Sequence, residues 1–246
     1  MKSKAIAFPY VGWMALFVVA PLVIITVYAF TSDAGGFTLA NFQDMAQYTA
    51  AFGRSFLLAA IATVICVLIG YPLAYFLARE TSWVHRMATM LIMLPMWMNF
   101  LLRTIAWMSL LEDQGLINNF LRLLGFDGVQ LMYNSGAVLL GMVYNFLPFM
   151  VFPIYTLLSK MDYRLTEAAA DLGCNNWQTL WKVTMPLSIP GIVSGITMVF
   201  MPSVTTFFIP RVLGGGNTMM FGDLIEAKFL TEGNWNVGSA LSLIMM

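Results

Sequence analysis

Residues 55–78 read Ser-Phe-Leu-Leu-Ala-Ala-Ile-Ala-Thr-Val-Ile-Cys-Val-Leu-Ile-Gly-Tyr-Pro-Leu-Ala-Tyr-Phe-Leu-Ala, a run between Arg54 and Arg79 that contains no charged residue and no histidine. The hydrocarbon core of a bilayer takes about 20 consecutive apolar residues as a helix, and this run is long enough. No water is available there to satisfy backbone N–H and C=O groups, so the segment must close its own hydrogen bonds as an α-helix. Working outward, the same test finds residues 10–30, 87–111, 136–158 and 187 to about 210; among these only 87–111 contains a charge, Arg103. A sixth run begins near Val237 and stops at Met246. That is half a bilayer thickness as a helix, so the chain is expected to end inside its last span. The first run follows Lys2 and Lys4 and is longer than the roughly 7 to 15 residues of a signal-peptide core, so it reads as a retained span.

The fold class that follows is an all-α membrane protein, a polytopic bundle of six transmembrane helices with the sixth incomplete, forming one domain over residues 1–246. Composition agrees: 60% of the 246 residues are hydrophobic and 10% are charged, against about 45–50% and 25% in soluble domains. The balance of 12 basic and 12 acidic residues excludes the basic excess of a nucleic-acid binder. The two cysteines, Cys66 in an apolar run and Cys174 in a polar one, offer neither a disulfide framework nor a metal site.

Sorting the loops by charge orients the bundle, because Lys and Arg accumulate on the cytoplasmic side. With the N-terminus inside, the inner segments hold seven basic residues (Lys2, Lys4, Arg79, Arg86, Lys160, Arg164, Lys182) against four acidic ones (Glu80, Asp162, Glu167, Asp171). The outer segments hold five basic residues against eight acidic: Asp33, Asp44, Glu112, Asp113, Asp127, Asp223, Glu226 and Glu232. The faces therefore carry +3 and −3, which predicts a cytoplasmic N-terminus.

The inner segment 160–186 is long and polar. Asp162 is placed to cap a short helix through Glu167, Ala168 and Ala169 that ends at Gly173, a residue suited to a left-handed C-terminal position. Asn175 and Gln178 have capping-box spacing for a second short helix, expected to run to Met185 before Pro186. A helix-glycine-helix elbow of this kind offers a soluble partner something to grip and move.

Here a resemblance becomes specific. Glu167-Ala168-Ala169, three residues, Gly173, nine residues, then Val183-Thr184-Met185-Pro186 resembles the EAA loop of permease subunits in bacterial ATP-binding-cassette (ABC) importers, with Val183 and Met185 in place of the more usual Ile and Leu. From Ser55 onward the chain is similar to spermidine/putrescine permeases of the PotB type: Leu94-Pro95-Met96-Trp97-Met98-Asn99, Leu102-Arg103-Thr104, Gly115-Leu116-Ile117-Asn118, Tyr144 to Met150, Met201-Pro202 to Gly215, and Lys228-Phe229 with Trp235 carry that likeness. The resemblance implies the type I importer permease fold and a loop that docks in a cleft of a separate ATPase. Glu167 would supply charge there, Ala168 and Ala169 close approach, Gly173 the bend and Pro186 the end of the motif. It also implies a second, similar permease, an ATPase dimer carrying ATP and magnesium, and a binding protein outside the membrane. The chain itself has no phosphate-binding Gly-x-x-x-x-Gly-Lys loop, since Gly214 to Gly216 are followed by Asn217; it reads as a translocator in the bacterial cytoplasmic membrane, with no catalytic residues, cofactor or metal of its own.

A polycationic cargo needs acceptors or aromatic faces. No full span has an interior Asp or Glu, so aromatic residues offering cation–π contacts are the candidates for the path: Trp97, Trp107, Tyr144 and Phe207. Interfacial belts account for the same Trp and Tyr positions. Polar residues within spans add Asn99, Asn145, Ser203 and Thr206. Asn99 follows Pro95 and Asn145 precedes Pro148, which would put their amides beside carbonyls freed by the prolines. Arg103 would repel the cargo if it faced the path, so it is expected to snorkel outward or pair with an outer acid. Gly191 and Gly195 have the spacing of a close helix crossing, within the chain or against the second permease. His85 reads as a solvated loop residue, and the 20 methionines as apolar filling. Two alternatives stay open: the same machinery for iron, thiamine or an oxyanion, and an ion-driven secondary transporter or channel. The latter predicts intramembrane carboxylates and paired broken helices.

Overall fold

The computed structural model describes residues 3–32, 35–43, 45–79, 83–126, 128–162 and 164–246. Lys2, Asp33, Asp44, Glu80 and Asp127 of the charge tally lie outside the described residues, as do the side chains of Lys4, His85 and Arg86. The chain forms two compact units, one of residues 1–53 with 220–246, the other of residues 54–219. Among the described residues four helices are long and apolar enough to cross a bilayer, or five if one sharply bent pair is a single span.

In the first unit, α1 runs over residues 3–29 as Ser3–Met14, a wide turn Ala15–Val19 and Ala20–Ala29 without interruption. The wide turn closes with Ala20 N–H bonded to Ala15 O, one residue further back than in an α-helix. Pro21 follows immediately, so the donor it lacks falls where the ladder has already slipped, and the helix passes the proline. Trp13, Leu16, Phe17 and Val23 are all exposed, as suits a helix that meets lipid. The unit's core gathers Phe221, Leu224 and Leu241, with Met45, Tyr48 and Phe52 packed on it. Phe52 meets Phe221 edge-on at 5.2 Å, and Tyr28 meets Trp235 at 6.5 Å. Lys228 pairs with Glu232 and lies 5.6 Å from the Tyr48 ring; the bond to Glu232 holds its ammonium above the usual lysine range.

The second unit is built around α5 (Ser135–Leu158), whose N-cap Asn134 accepts from Ala137 N–H at 2.8 Å. Before it come α2 (Thr49–Arg79), which enters from the first unit, then α3 (Trp83–Trp97) and α4 (Phe100–Leu111). After it come α6 (Arg164–Asp171), α7 (Asn176–Thr205) and α8 (Phe208–Gly214). Residues of α5 such as Val138, Met142, Met150 and Ile154 are fully enclosed. The Gly191/Gly195 crossing is within this chain. A Cβ at Gly191 would stand 3.2 Å from Pro153 O and 3.3 Å from Ile154 Cα, and one at Gly195 would stand 2.7 Å from Met150 Sδ. Small residues thus let α7 lie against α5 at near backbone contact. Ser188 Oγ and Tyr71 Oη, 3.2 Å apart, tie α7 to α2.

The third expected span is not continuous. The segments Thr89–Trp97 and Phe100–Leu123 diverge by 102°, because Asn99 takes a non-helical backbone and its Oδ1 accepts from Leu101 N–H at 2.8 Å, capping a new helix. The fifth span likewise ends at Thr205 rather than near Pro210, with Thr206 extended before α8 begins. The last helix, α10 (Trp235–Met245), follows α9, which spans residues 221–231.

Candidate functional site: the helix-glycine-helix elbow and the broken spans

The elbow forms from strictly local chemistry. Asp162 Oδ1 accepts from Arg164 N–H at 3.0 Å and starts α6. At its other end Gly173 has φ +84°, Cys174 N–H bonds to Ala169 O at 3.0 Å and Gly173 N–H to Ala170 O at 2.8 Å. Those two bonds are the paired closure of a glycine-terminated helix. Asn175 and Gln178 complete a reciprocal capping box, 2.8 Å and 3.0 Å, that opens α7. Thr166 and Ala169 turn inward and are buried, whereas Glu167 and Ala168 are exposed. Leu172, 85% exposed, and the edge-packed pair Trp177 and Trp181 add apolar surface to the charge of Glu167. A soluble partner would therefore meet a rigid turn with an acid, a small residue and aromatic side chains.

One expectation for the elbow is corrected. The second short helix does not stop before Pro186; α7 runs on as one helix from Asn176 to Thr205. The reason is the device already met at Pro21. Residues Leu180–Thr184 form a wide turn closed by Met185 N–H on Leu180 O, directly ahead of the proline. Pro186 itself is exposed, at the point where elbow becomes span.

The candidate path residues separate into two kinds of environment. Trp107 and Tyr144 are half-buried and meet edge-on at 5.3 Å, joining α4 to α5. Trp97, 83% exposed, and Asn99 lie at the α3–α4 break; Phe207, 46% exposed, lies at the α7–α8 break. Asn145, Ser203 and Thr206 are buried. The Asn145 amide donates to Gly141 O at 2.9 Å, and its Oδ1 has no partner among the described residues; Ser203 Oγ is also without one. Neither asparagine amide therefore serves the carbonyl freed by its nearby proline: Asn99 caps α4 and Asn145 bonds within its own turn.

Arg103 also departs from expectation. Among the described residues it neither snorkels nor meets an outer acid: it is 6% exposed, close enough to Tyr144 to interact electrostatically, and its Nε and Nη1 have no acceptor there. Of the outer acids, Glu112 and Asp113 are exposed, but Asp223 is buried and accepts from Met220 N–H at 3.2 Å, capping α9.

Comparison with known proteins places this geometry. Residues 70–246 match the family model described as the binding-protein-dependent transport system inner membrane component. The spermidine/putrescine transport system permease protein PotB of Escherichia coli K12 is 36% identical over 245 residues, 96% of this chain and 89% of the relative. Its counterpart in Haemophilus influenzae is 34% identical over 242 residues, 94% and 85% of the two chains. Among solved structures, a bacterial ABC transporter involved in import of the acidic polysaccharide alginate superposes with a TM-score of 0.82 at 17% identity, covering 98% of this chain and 88% of that one. The MetNI methionine ABC transporter gives 0.59 at 15% identity, covering 82% and 88%. The two structural matches share the fold, and the sequence matches go further: this chain belongs to the family of binding-protein-dependent transport system inner membrane components.

Proposed function

We propose that the chain is the membrane-spanning permease subunit of an ATP-driven ABC importer that carries polyamines, spermidine or putrescine, across the bacterial inner membrane. The observation that carries this reading is the elbow at residues 160–186: two capped helices joined at Gly173, with Glu167 and Ala168 exposed, leading without a break into α7. The polyamine cargo is supported by relatives 34–36% identical over nearly the whole chain. The subunit is a translocator rather than an enzyme. ATP and magnesium are held by a separate ATPase dimer, a second permease completes the pathway, and a binding protein delivers cargo from outside. The N-terminus is cytoplasmic, as the +3 and −3 faces of the sequence favour. The bundle has six spans, counting the bent third and the short last helix.

In this reading ATPase closure moves the elbow through Glu167, Ala168, Ala169 and Gly173, and α7 carries the motion past Pro186 into the bundle. Trp97, Asn99, Trp107, Tyr144, Asn145, Ser203, Thr206 and Phe207 are the residues of this chain assigned to the path. The test is uptake of labelled spermidine by cells expressing this chain with its second permease, ATPase and binding protein. Uptake is expected to be competed by excess spermidine or putrescine and lost in Glu167→Lys, with the variant still inserted. Uptake indifferent to both competitors removes the cargo assignment, and normal uptake by Glu167→Lys removes the elbow's role.

A further inference from the structure

Beyond α4, past the exposed acids Glu112 and Asp113, residues Leu116–Leu123 form a short helix that begins at Gly115. Leu116, Phe120, Leu123 and Leu124 fall at i, i+4, i+7 and i+8, one stripe of a helix, and all are exposed, Leu123 to 85%. The stripe contains no polar residue.

The polar side chains of the helix turn back on its own loop. Asn118 is buried; its Nδ2 donates to Glu112 O at 3.2 Å and its Oδ1 accepts from Val129 N–H at 3.1 Å. Asn119 Nδ2 donates to Gln114 O at 3.0 Å, and Arg122 Nη2 to Asp113 O at 3.1 Å. At the far end Gly125 has φ +84°, with its N–H on Arg122 O and Phe126 N–H on Leu121 O, the paired closure of a glycine-terminated helix. These bonds clamp the helix to the loop at both ends and on its polar side, so the direction of the apolar stripe is fixed.

Whatever covers the stripe must offer apolar contact and require no hydrogen bond. A specific protein partner brings about one hydrogen bond per 100–200 Å² of interface, and these four side chains have no donor or acceptor to return. The boundary between headgroups and acyl chains makes no such demand. Placement agrees. The helix ends the segment Phe100–Leu123, which leaves Thr89–Trp97 at 102°, and a segment at right angles to a spanning helix runs along the bilayer rather than through it. Leu101, Leu102 and Ile105 of α4, earlier in the same segment, are exposed apolar residues too. We propose that Leu116–Leu123 is an interfacial anchor, lying on the bilayer with Leu116, Phe120, Leu123 and Leu124 set among the acyl chains and Asn119 and Arg122 at headgroup level. It fixes the depth of the end of α4, the helix that carries Trp107. The proposed orientation makes the leaflet the outer one; the anchor itself requires only the bilayer.

The experiment uses the assembled importer in phosphatidylglycerol/phosphatidylethanolamine nanodiscs. Nitroxide labels are placed singly through Leu116→Cys, Phe120→Cys, Leu123→Cys and, as a reference before the helix, Glu112→Cys, in a Cys66→Ser, Cys174→Ser background. Assembly of each variant is checked by co-purification of the second permease. Collision of each label with oxygen, which partitions into lipid, is compared with collision with a water-soluble nickel chelate. Labels at 116, 120 and 123 are expected to favour oxygen, and the label at 112 to favour nickel. Labels at 120 and 123 that favour nickel show a stripe in water and overturn the proposal. Exclusion of both reagents shows a protein cover, the second permease, and overturns it equally. Nickel access that disappears only when the binding protein is added assigns the stripe to that protein, again against the anchor. Both faces of a nanodisc are open to the reagents, so the outcome does not depend on which leaflet is the outer one.

Discussion

Arg103 is where a single residue departs furthest from what its neighbours in sequence suggest. A guanidinium buried with its Nε and Nη1 groups unpaired costs several kcal/mol, and an apolar side chain of similar volume in place of a buried charge is often stabilising by about 1–4 kcal/mol. Arg103→Met is therefore expected to raise the thermal midpoint of the isolated subunit in detergent; a lower midpoint would show that the cation is compensated. Gly191 and Gly195 invite a graded test. The neighbours of Gly191 are backbone and Cβ atoms that cannot yield, whereas the nearest neighbour of Gly195 is a flexible sulfur. Gly191→Val should cost about 1–3 kcal/mol by overpacking, with Gly195→Ala milder, both read by denaturation of the subunit. The caps at Asp162, Gly173 and Asn175 were legible from sequence because each depends on partners within a few residues. The burial of Arg103 was not, since it is set by helices distant in sequence.

At the level of helices, the apolar runs marked which segments lie in lipid but not their direction. Residues 87–111 read as one span because a single asparagine barely lowers the hydropathy of so long an apolar run, yet the helix axis turns there. A signal was present: an asparagine four residues after a proline, inside an apolar run, is a helix start waiting for its donor. Asn99→Ala should destabilise the subunit by about 1 kcal/mol, with Asn99→Asp retaining most of the cap, as measured by chemical denaturation. The wide turns before Pro21 and Pro186 were less legible, because they are a response of the backbone to the proline that composition does not encode. The elbow makes the sharper prediction. Gly173→Val forces a branched side chain into a left-handed backbone at about 1–2 kcal/mol. It should lower transport relative to ATP hydrolysis in the assembled importer while the ATPase still co-purifies; an unchanged ratio would mean that the bend is dispensable.

For the molecule as a whole, two cysteines give a direct reading of sidedness. Cys66 is buried in α2, and Cys174 is partly exposed at the elbow. Impermeant thiol reagents should leave intact cells unlabelled and modify Cys174 in inverted membranes, confirming the arrangement that the charges of the loops favour. The helical class and the elbow could be read in the sequence because both rest on composition and short-range spacing; the division of residues among path, packing and caps could not, because it depends on which helices meet. The continuity of α7 carries a mechanical consequence. Its 30 residues make a rod of about 45 Å, so a tilt of about 10° at the elbow sweeps the far end by roughly 8 Å on that length. Pro190 and Pro202 lie within that rod, so it is least stiff where each removes a ladder bond, and stroke lost between fuel burned and cargo moved arises there or at the joint beyond Thr205.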